Sequence, residues 1–205
     1  MPKRTHKVTI LASSKLSTQF GEFDFIVWKS EYENKEHVLL SYGNIQDFNG
    51  SMLTRIHSQC LTSESFVSLK CDCREQLHQA MHMIRKEGQG MVIYLHQEGR
   101  GIGLTNKIKA YHLQSQGLDT VEANEKLGFQ ADQRDYQPAI DLLHHFKINS
   151  IQLISNNPRK FTQLEKSGII ITKRVPIQIK PHSLNKQYLQ TKKKKLGHLL
   201  DHLDL

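Results

Sequence analysis

Cys60, Cys71 and Cys73 are the only cysteines in this 205-residue chain, with ten residues between the first two and one between the last two. Thiolates are soft ligands that suit Zn²⁺, and a structural zinc site normally closes with four protein ligands. Three thiolates leave one position for water, which is the arrangement of a catalytic site. His57 could instead supply the fourth ligand and close the site. The bland alternative is a buried free cysteine beside a surface Cys-x-Cys pair. A disulfide is disfavoured, because a Cys-x-Cys bridge is strained and an odd count leaves one thiol over.

Other stretches carry groups suited to an anion. Glu98-Gly-Arg-Gly-Ile-Gly103 follows an apolar run and precedes a helical pattern. Its glycines let backbone N–H groups approach a phosphate, and Arg100 offers a charge-assisted fork. It is not a P-loop, and its glycine spacing does not fit the dinucleotide fingerprint, so a plain tight turn is the competing reading. Asn156-Asn-Pro-Arg-Lys160 repeats the strand–turn–helix arrangement with two cations in the first turn. Cations there oppose the helix dipole, which points to a negative partner, against the alternative of a variable surface loop. Asp132 and Arg134 form an Asp-x-Arg element that usually makes a salt bridge or a cap. Beside a zinc-activated water its carboxylate could move the proton and its arginine could neutralise developing charge. The twelve histidines are scattered, and His144, His145, His198 and His202 read as surface or partly buried positions.

The elements that must position these groups fall into two patterns. The first third reads as β: Lys7–Leu11, a period-two segment from Gly21 to Trp28 with Phe23, Phe25 and Val27 inward, His37–Tyr42, and Ser51–His57. From Cys73 onward helix and strand alternate. Leu77, Ala80, Met81 and Ile84 mark a helix ended by Gly88 or Gly90, and Met91–Leu95 a strand. A helix with Leu104, Ile108 and Tyr111 then stops near Gly117, and Pro138 opens another. Ile151–Ile154, Pro158–Ser167 and Ile169–Thr172 read as strand, helix and strand. The fold class is α/β, an α+β mixed sheet in a single domain over 1–205, with 181–205 a loop and a basic C-terminal helix. The pattern leaves open whether the N-terminal strands join the later sheet.

Hydrophobic residues make up 38% of the chain and the mean hydropathy is −0.52, the profile of a polar globular protein. No apolar run approaches the ~18 residues of a membrane span, and Met1–His6 leads into no secretory apolar region. Free thiols without an export signal imply the cytoplasm. The net charge of +8 and pI near 9.4 favour an anionic partner. Part of that excess is Lys192–Lys195, a run that reads as a solvated helix end.

As a set, the motifs resemble the GTP cyclohydrolase II family of riboflavin biosynthesis. They are Arg-Ile-His-Ser-Gln-Cys-Leu-Thr at 55–62, Lys-Cys-Asp-Cys at 70–73, Gln-Glu-Gly-Arg-Gly-Ile-Gly-Leu at 97–104 and Asn-Lys-Ile-Lys-Ala-Tyr at 106–111. Asp-Thr-Val-Glu-Ala-Asn at 119–124, Ala-Asp-Gln-Arg-Asp-Tyr at 131–136, Ser-Asn-Asn-Pro-Arg-Lys at 155–160 and Thr-Lys-Lys-Lys-Lys-Leu-Gly-His at 191–198 continue it in the family's order. The resemblance implies a hydrolase that opens the imidazole ring of GTP, releasing formate and pyrophosphate and leaving a diaminopyrimidinone ribosylamine phosphate. It implies one Zn²⁺ on Cys60, Cys71 and Cys73, Mg²⁺ with the triphosphate, and a homodimer. Asp132 falls on the family's proton acceptor and Arg134 on the nucleophile of phosphate release. GTP contacts fall on Arg55, Ile56, His57, Ser58, Gln59, Gln76, Glu98, Gly99, Arg100, Thr120, Ser155 and Lys160, with Tyr111 near the opening ring.

Gln59, Ser63-Glu64 and Arg74 depart from the usual family pattern, and Ser155 replaces a threonine. The alternative to an active enzyme is a divergent, non-catalytic GTP-binding or regulatory paralogue. A zinc-stabilised nucleic-acid module would explain the charge, but the chain offers no aromatic stacking face. Neither nucleic acid nor membrane is expected as a partner.

Overall fold

A computed structural model describes residues 6–46, 48 and 50–200; the first five residues, Asp47, Asn49 and the last five, His202 among them, lie outside it. The β-rich start forms β1 (Val8–Thr18), β2 (Gly21–Ser30), β3 (His37–Tyr42) and β4 (Met52–Ser58). The first strand is longer than the apolar pattern at Lys7–Leu11 implies. Its later residues are exposed, so no burial signal marks them, and pairing with β2 from Val8↔Ser30 to Thr18↔Gly21 extends it instead. The inward set of β2 also differs from the expected Phe23, Phe25 and Val27. Phe23 and Phe25 pack on one face and Ile26 and Trp28 on the other, because both faces of this strand are covered.

The later chain supplies α1 (Leu61–Glu64), α2 (Cys73–Glu87), β5 (Gly90–Leu95), α3 (Gly103–Ser115), α4 (Thr120–Lys126), α5 (Gln137–His145), β6 (Ser150–Ile154), α6 (Pro158–Lys166), β7 (Ile170–Val175) and α7 (Lys186–Lys194). Among the described residues the seven strands form one mixed sheet in the order β1-β2-β3-β5-β4-β6-β7. The N-terminal strands do join it, through the antiparallel pairing of β3 with β5. β4 and β6 run parallel, as do β6 and β7.

The residues divide into two compact units, each assembled from separated stretches. The first unit takes the described residues of Met1–His57, Leu77–His96 and Tyr136–Ile177 and holds the sheet. Alternation along β5 sends Met91, Ile93 and Leu95 to a core shared with α5 and α6, while Val92 joins Ala80, Met81 and Ile84 of α2. Each large apolar side chain buried this way contributes about 1.5–3 kcal/mol. The second unit takes Ser58–Gln76, Gln97–Asp135 and the described residues of Gln178–Leu205. Its helices α1, α3 and α7 begin without a side-chain cap, whereas α4 has one. Asp119 closes a reciprocal capping box with Glu122 at the start of α4, an arrangement that fastens two otherwise orphaned backbone donors.

Helix α3 departs from its expected face. Leu104 and Ile108 are exposed, and the residues it buries are Lys107 and Ala110. The lysine run departs as well: Lys192 is buried with only 8% of its surface exposed, because its ammonium is paired with a carboxylate, Asp72.

Candidate metal centre and substrate site

The second unit begins at Ser58, where β4 runs out, and the chain passes through Gln59 to Cys60, the residue before α1; Cys71 lies in the following loop and Cys73 opens α2. This folding brings the three sulfurs within 4.8 Å of one another, and all three cysteines are free. The Cys60 and Cys71 sulfurs are 3.7 Å apart. Two thiolates bound tetrahedrally to one zinc at about 2.3 Å stand roughly 3.8 Å apart, so the donor set fits Zn²⁺. His57 is not part of this group; its ring stacks on Tyr94 with centroids 5.6 Å apart. The thiols do not titrate alike. Hydrogen bonds from Cys71 and Cys73, helped by the Lys107 cation, hold Cys60 far below the ordinary thiol range, and the Cys60 thiolate in turn pushes both partners up.

Lys107 is central to this centre. Its ammonium donates to Cys60 Sγ at 3.2 Å and to Glu98 Oε1 at 2.8 Å. Burial opposes that charge, but Cys60, Tyr111 and Glu98 outweigh it and hold Lys107 above the ordinary lysine range. Glu98 also accepts from Leu61 N at 2.7 Å and Gly99 N at 2.8 Å, which ties the glycine loop to the first cysteine. Gly99 and Arg100 both take left-handed backbone, with φ of 63° and 61°. That conformation is ordinary for glycine and strained for arginine. A Cβ at Gly101 would stand 3.2 Å from the Gln133 carbonyl carbon, so this loop closes tightly on the segment carrying Asp132. Gln133 N donates to Arg100 O, and Arg100 Nη1 to Ala131 O.

Asp132 and Arg134 form a fork, with Nε donating to Oδ1 at 2.9 Å and Nη2 to Oδ2 at 2.6 Å. Tyr111 hydrogen-bonds with the Thr62 hydroxyl, and the Lys70 ammonium sits 4.7 Å over its ring. Burial pushes its phenol up to about 12, so it stays protonated at neutral pH. Gln76 Nε2 donates to Asp72 Oδ2, and Thr120 is the first residue of α4. Buried polar atoms remain without a partner among the described residues at Ser58 Oγ, Gln97 Oε1 and Arg100 Nη2.

The remaining expected residues belong to the first unit. They gather at the carboxyl ends of parallel β4 and β6, the side on which open α/β sheets bind ligands. Arg55 Nη1 donates to Ile154 O at 3.0 Å, and Lys160 Nζ to Ile56 O at 2.6 Å. Ser155 Oγ accepts from Asn157 N, and Asn157 caps α6 by accepting from Arg159 N. Arg55, Ile56, His57, Ser155 and Lys160 are all buried.

Residues 9–176 match the profile of the family described as GTP cyclohydrolase II. The chain belongs to the GTP cyclohydrolase II family. It is 50% identical over 194 residues to the "GTP cyclohydrolase-2" of Buchnera aphidicola, covering 95% of this chain and 98% of that one. It is 52% identical over 198 residues to the protein of the same name from Azotobacter vinelandii, covering 96% and 94%. A "Riboflavin biosynthesis protein RibBA" of Chlorobium phaeovibrioides is 45% identical over 97% of this chain and 48% of its own length.

Within this GTP cyclohydrolase II chain, three of the departures from the family pattern have local partners. Ser63 Oγ accepts from Arg74 N at the start of α2, Arg74 ion-pairs with Glu75, and Glu64 Oε1 accepts from Cys60 N. Sequence reasoning missed Lys107, Asp72, Tyr188 and Lys192 as parts of the site's surroundings. For Lys107 a signal existed: it lies three residues before Ala110 and four before Tyr111, on the same helical face.

Proposed function

We propose that this chain is a zinc-dependent GTP cyclohydrolase II acting in riboflavin biosynthesis, hydrolysing GTP to formate, pyrophosphate and the diaminopyrimidinone ribosylamine phosphate. The observation that carries the reading is the coincidence of the family match with three thiols grouped at zinc-binding spacing. In this reading Cys60, Cys71 and Cys73 hold the zinc, which when bound supplies Lewis-acid activation of water for attack on the imidazole carbon. Asp132 takes the proton. Its fork with Arg134 holds the carboxylate in a fixed orientation. A guanidinium retains its proton and lacks a free lone pair, so Arg134 acts on phosphate release chiefly as a fixed cation. The Tyr111 hydroxyl, kept protonated by burial, is a donor for the base.

Arg100, with a free guanidinium nitrogen and tight left-handed backbone, and the buried Lys160 at the start of α6 suit a Mg²⁺-bearing triphosphate. Arg55, Ile56, His57, Ser58, Gln59, Gln76, Glu98, Gly99, Thr120 and Ser155 complete the substrate contacts. Residues 1–205 act as one functional domain, in a cytoplasmic homodimer with neither membrane nor nucleic acid as a partner; no helix among the described residues is long and apolar enough to cross a membrane. Incubating the zinc-loaded protein with GTP and Mg²⁺ should release formate and pyrophosphate in equal amounts. Tight GTP binding with neither product would overturn the activity in favour of a non-catalytic paralogue.

A further inference from the structure

Helix α7 lies beyond residue 176, where the family match ends, and two of its side chains, with that of its C-cap Lys195, reach segments of the site. Tyr188, Lys192 and Lys195 are spaced i, i+4 and i+7, which places them along one helical face. The Lys192 ammonium is 2.7 Å from Asp72 Oδ1 and 4.6 Å from the centre of the Tyr188 ring. Asp72 is 2% exposed and stands between two of the cysteines. The Arg100 guanidinium carbon lies 5.8 Å from the centre of the same Tyr188 ring. Lys195, at the end of the helix, ion-pairs with both Asp119 and Glu122, the two members of the α4 capping box that precedes and follows Thr120. Leu189 and Leu200 are buried together beside Tyr188 and seat the helix.

We propose that this face of α7 is a clasp that positions the site, with Lys192 holding the Cys71-Asp72-Cys73 turn, Tyr188 backing Arg100, and Lys195 fixing the start of α4. The proposal rests on the reading of the three cysteines as zinc ligands. A buried carboxylate flanked by thiolates is strongly destabilised unless a cation compensates it. Lys192 supplies that cation from a chain segment remote in sequence, and so keeps the turn folded inward with both sulfurs facing Cys60. Lys193 and Lys194, between the two anchors, are exposed. The run is therefore divided into holding and solvated positions rather than being uniform.

The test compares zinc release from the zinc-loaded full chain to a chelating dye in wild type, Lys192→Met, Lys192→Arg, Asp72→Asn and the surface control Lys193→Ala. Lys192→Met should release zinc about ten to a hundred times faster, Lys192→Arg should recover part of the loss, and Lys193→Ala should match wild type. In the Asp72→Asn background Lys192→Met should add little, because the two residues act as a pair. If Lys192→Met does not fold, that background carries the comparison, and a further tenfold or greater acceleration of zinc release by Lys192→Met within Asp72→Asn overturns the pairing. Lys195→Ala should raise KM for GTP severalfold with zinc release unchanged. Zinc held equally long by Lys192→Met and wild type overturns the clasp alone. A wild-type chain that binds no stoichiometric zinc overturns the metal reading and the clasp with it.

Discussion

The two units are held by different physics. The first buries Trp28, Leu39, Met52, Ile56 and Ile93 at 0% exposure around a sheet. The second ties its loops with Lys107–Glu98, Arg134–Asp132 and Lys192–Asp72 pairs at 2.6–2.8 Å and with three thiols that invite a cation. Apolar burial is non-directional and tolerant of small shifts. Charge pairs in a low dielectric fix direction and distance, and they are costly when one partner is lost. The Asp132–Arg134 pair and the three thiols lie where the chain is held by polar ties, whereas Arg55, Ser155 and Lys160 are set on the ends of strands held by apolar burial.

The contrast can be broken first at the metal. Cys71→Ser should abolish turnover and zinc binding together, since two thiolates hold zinc poorly. Metal analysis and hydrogen exchange would check it: amides of the second unit should lose protection while those of the sheet keep theirs. Equal loss in both units would erase the distinction drawn here. Asp132→Asn should slow formate release by about 10²–10⁴-fold, the span of a lost general base, with unfolding temperature and zinc content unchanged. Conversely, Trp28→Ala should cost about 3–5 kcal/mol, seen as a melting point lower by roughly 10 °C, while leaving the zinc stoichiometry at one.

The smallest effect concerns acid. Burial holds His37 down at about 4, against the pull of Glu33, so it is neutral in the folded protein at pH 7. The unfolded histidine titrates near 6.5. Between these values the unfolded chain binds more protons, so this contribution is complete above about pH 6.5 and is lost as the pH falls towards 4. Melting temperatures across that range should fall less in His37→Gln than in wild type.

The sheet was legible where apolar residues alternate or run together, as at His37–Tyr42, Met91–Leu95 and Ile151–Ile154. It was illegible in β1, whose residues after Val8 are largely exposed and are specified by pairing with β2 rather than by burial. That β3 would pair with β5 depends on contacts remote in sequence, which local periodicity does not encode. In the site, the cysteines declared themselves by type and spacing. Lys107 and Lys192 did not, because a lysine becomes a core residue only when its counter-charge arrives from elsewhere in the chain. Asp72 and Glu98 supply that charge here, and the expected solvated run and apolar α3 face gave way for the same reason.

Each unit is interleaved with the other along the chain, so neither is a continuous piece of polypeptide. A nascent chain has the strands of the first unit in hand by Val175, yet it still lacks the helix that covers Asp72. The α7 segment of the second unit is therefore synthesised well after Cys60, Cys71 and Cys73. During that interval the thiols are displayed without Lys192 beside them, open to metal capture or to oxidation. If α7 acts as the proposed clasp, the order of synthesis separates the emergence of the thiols from the closing of their turn.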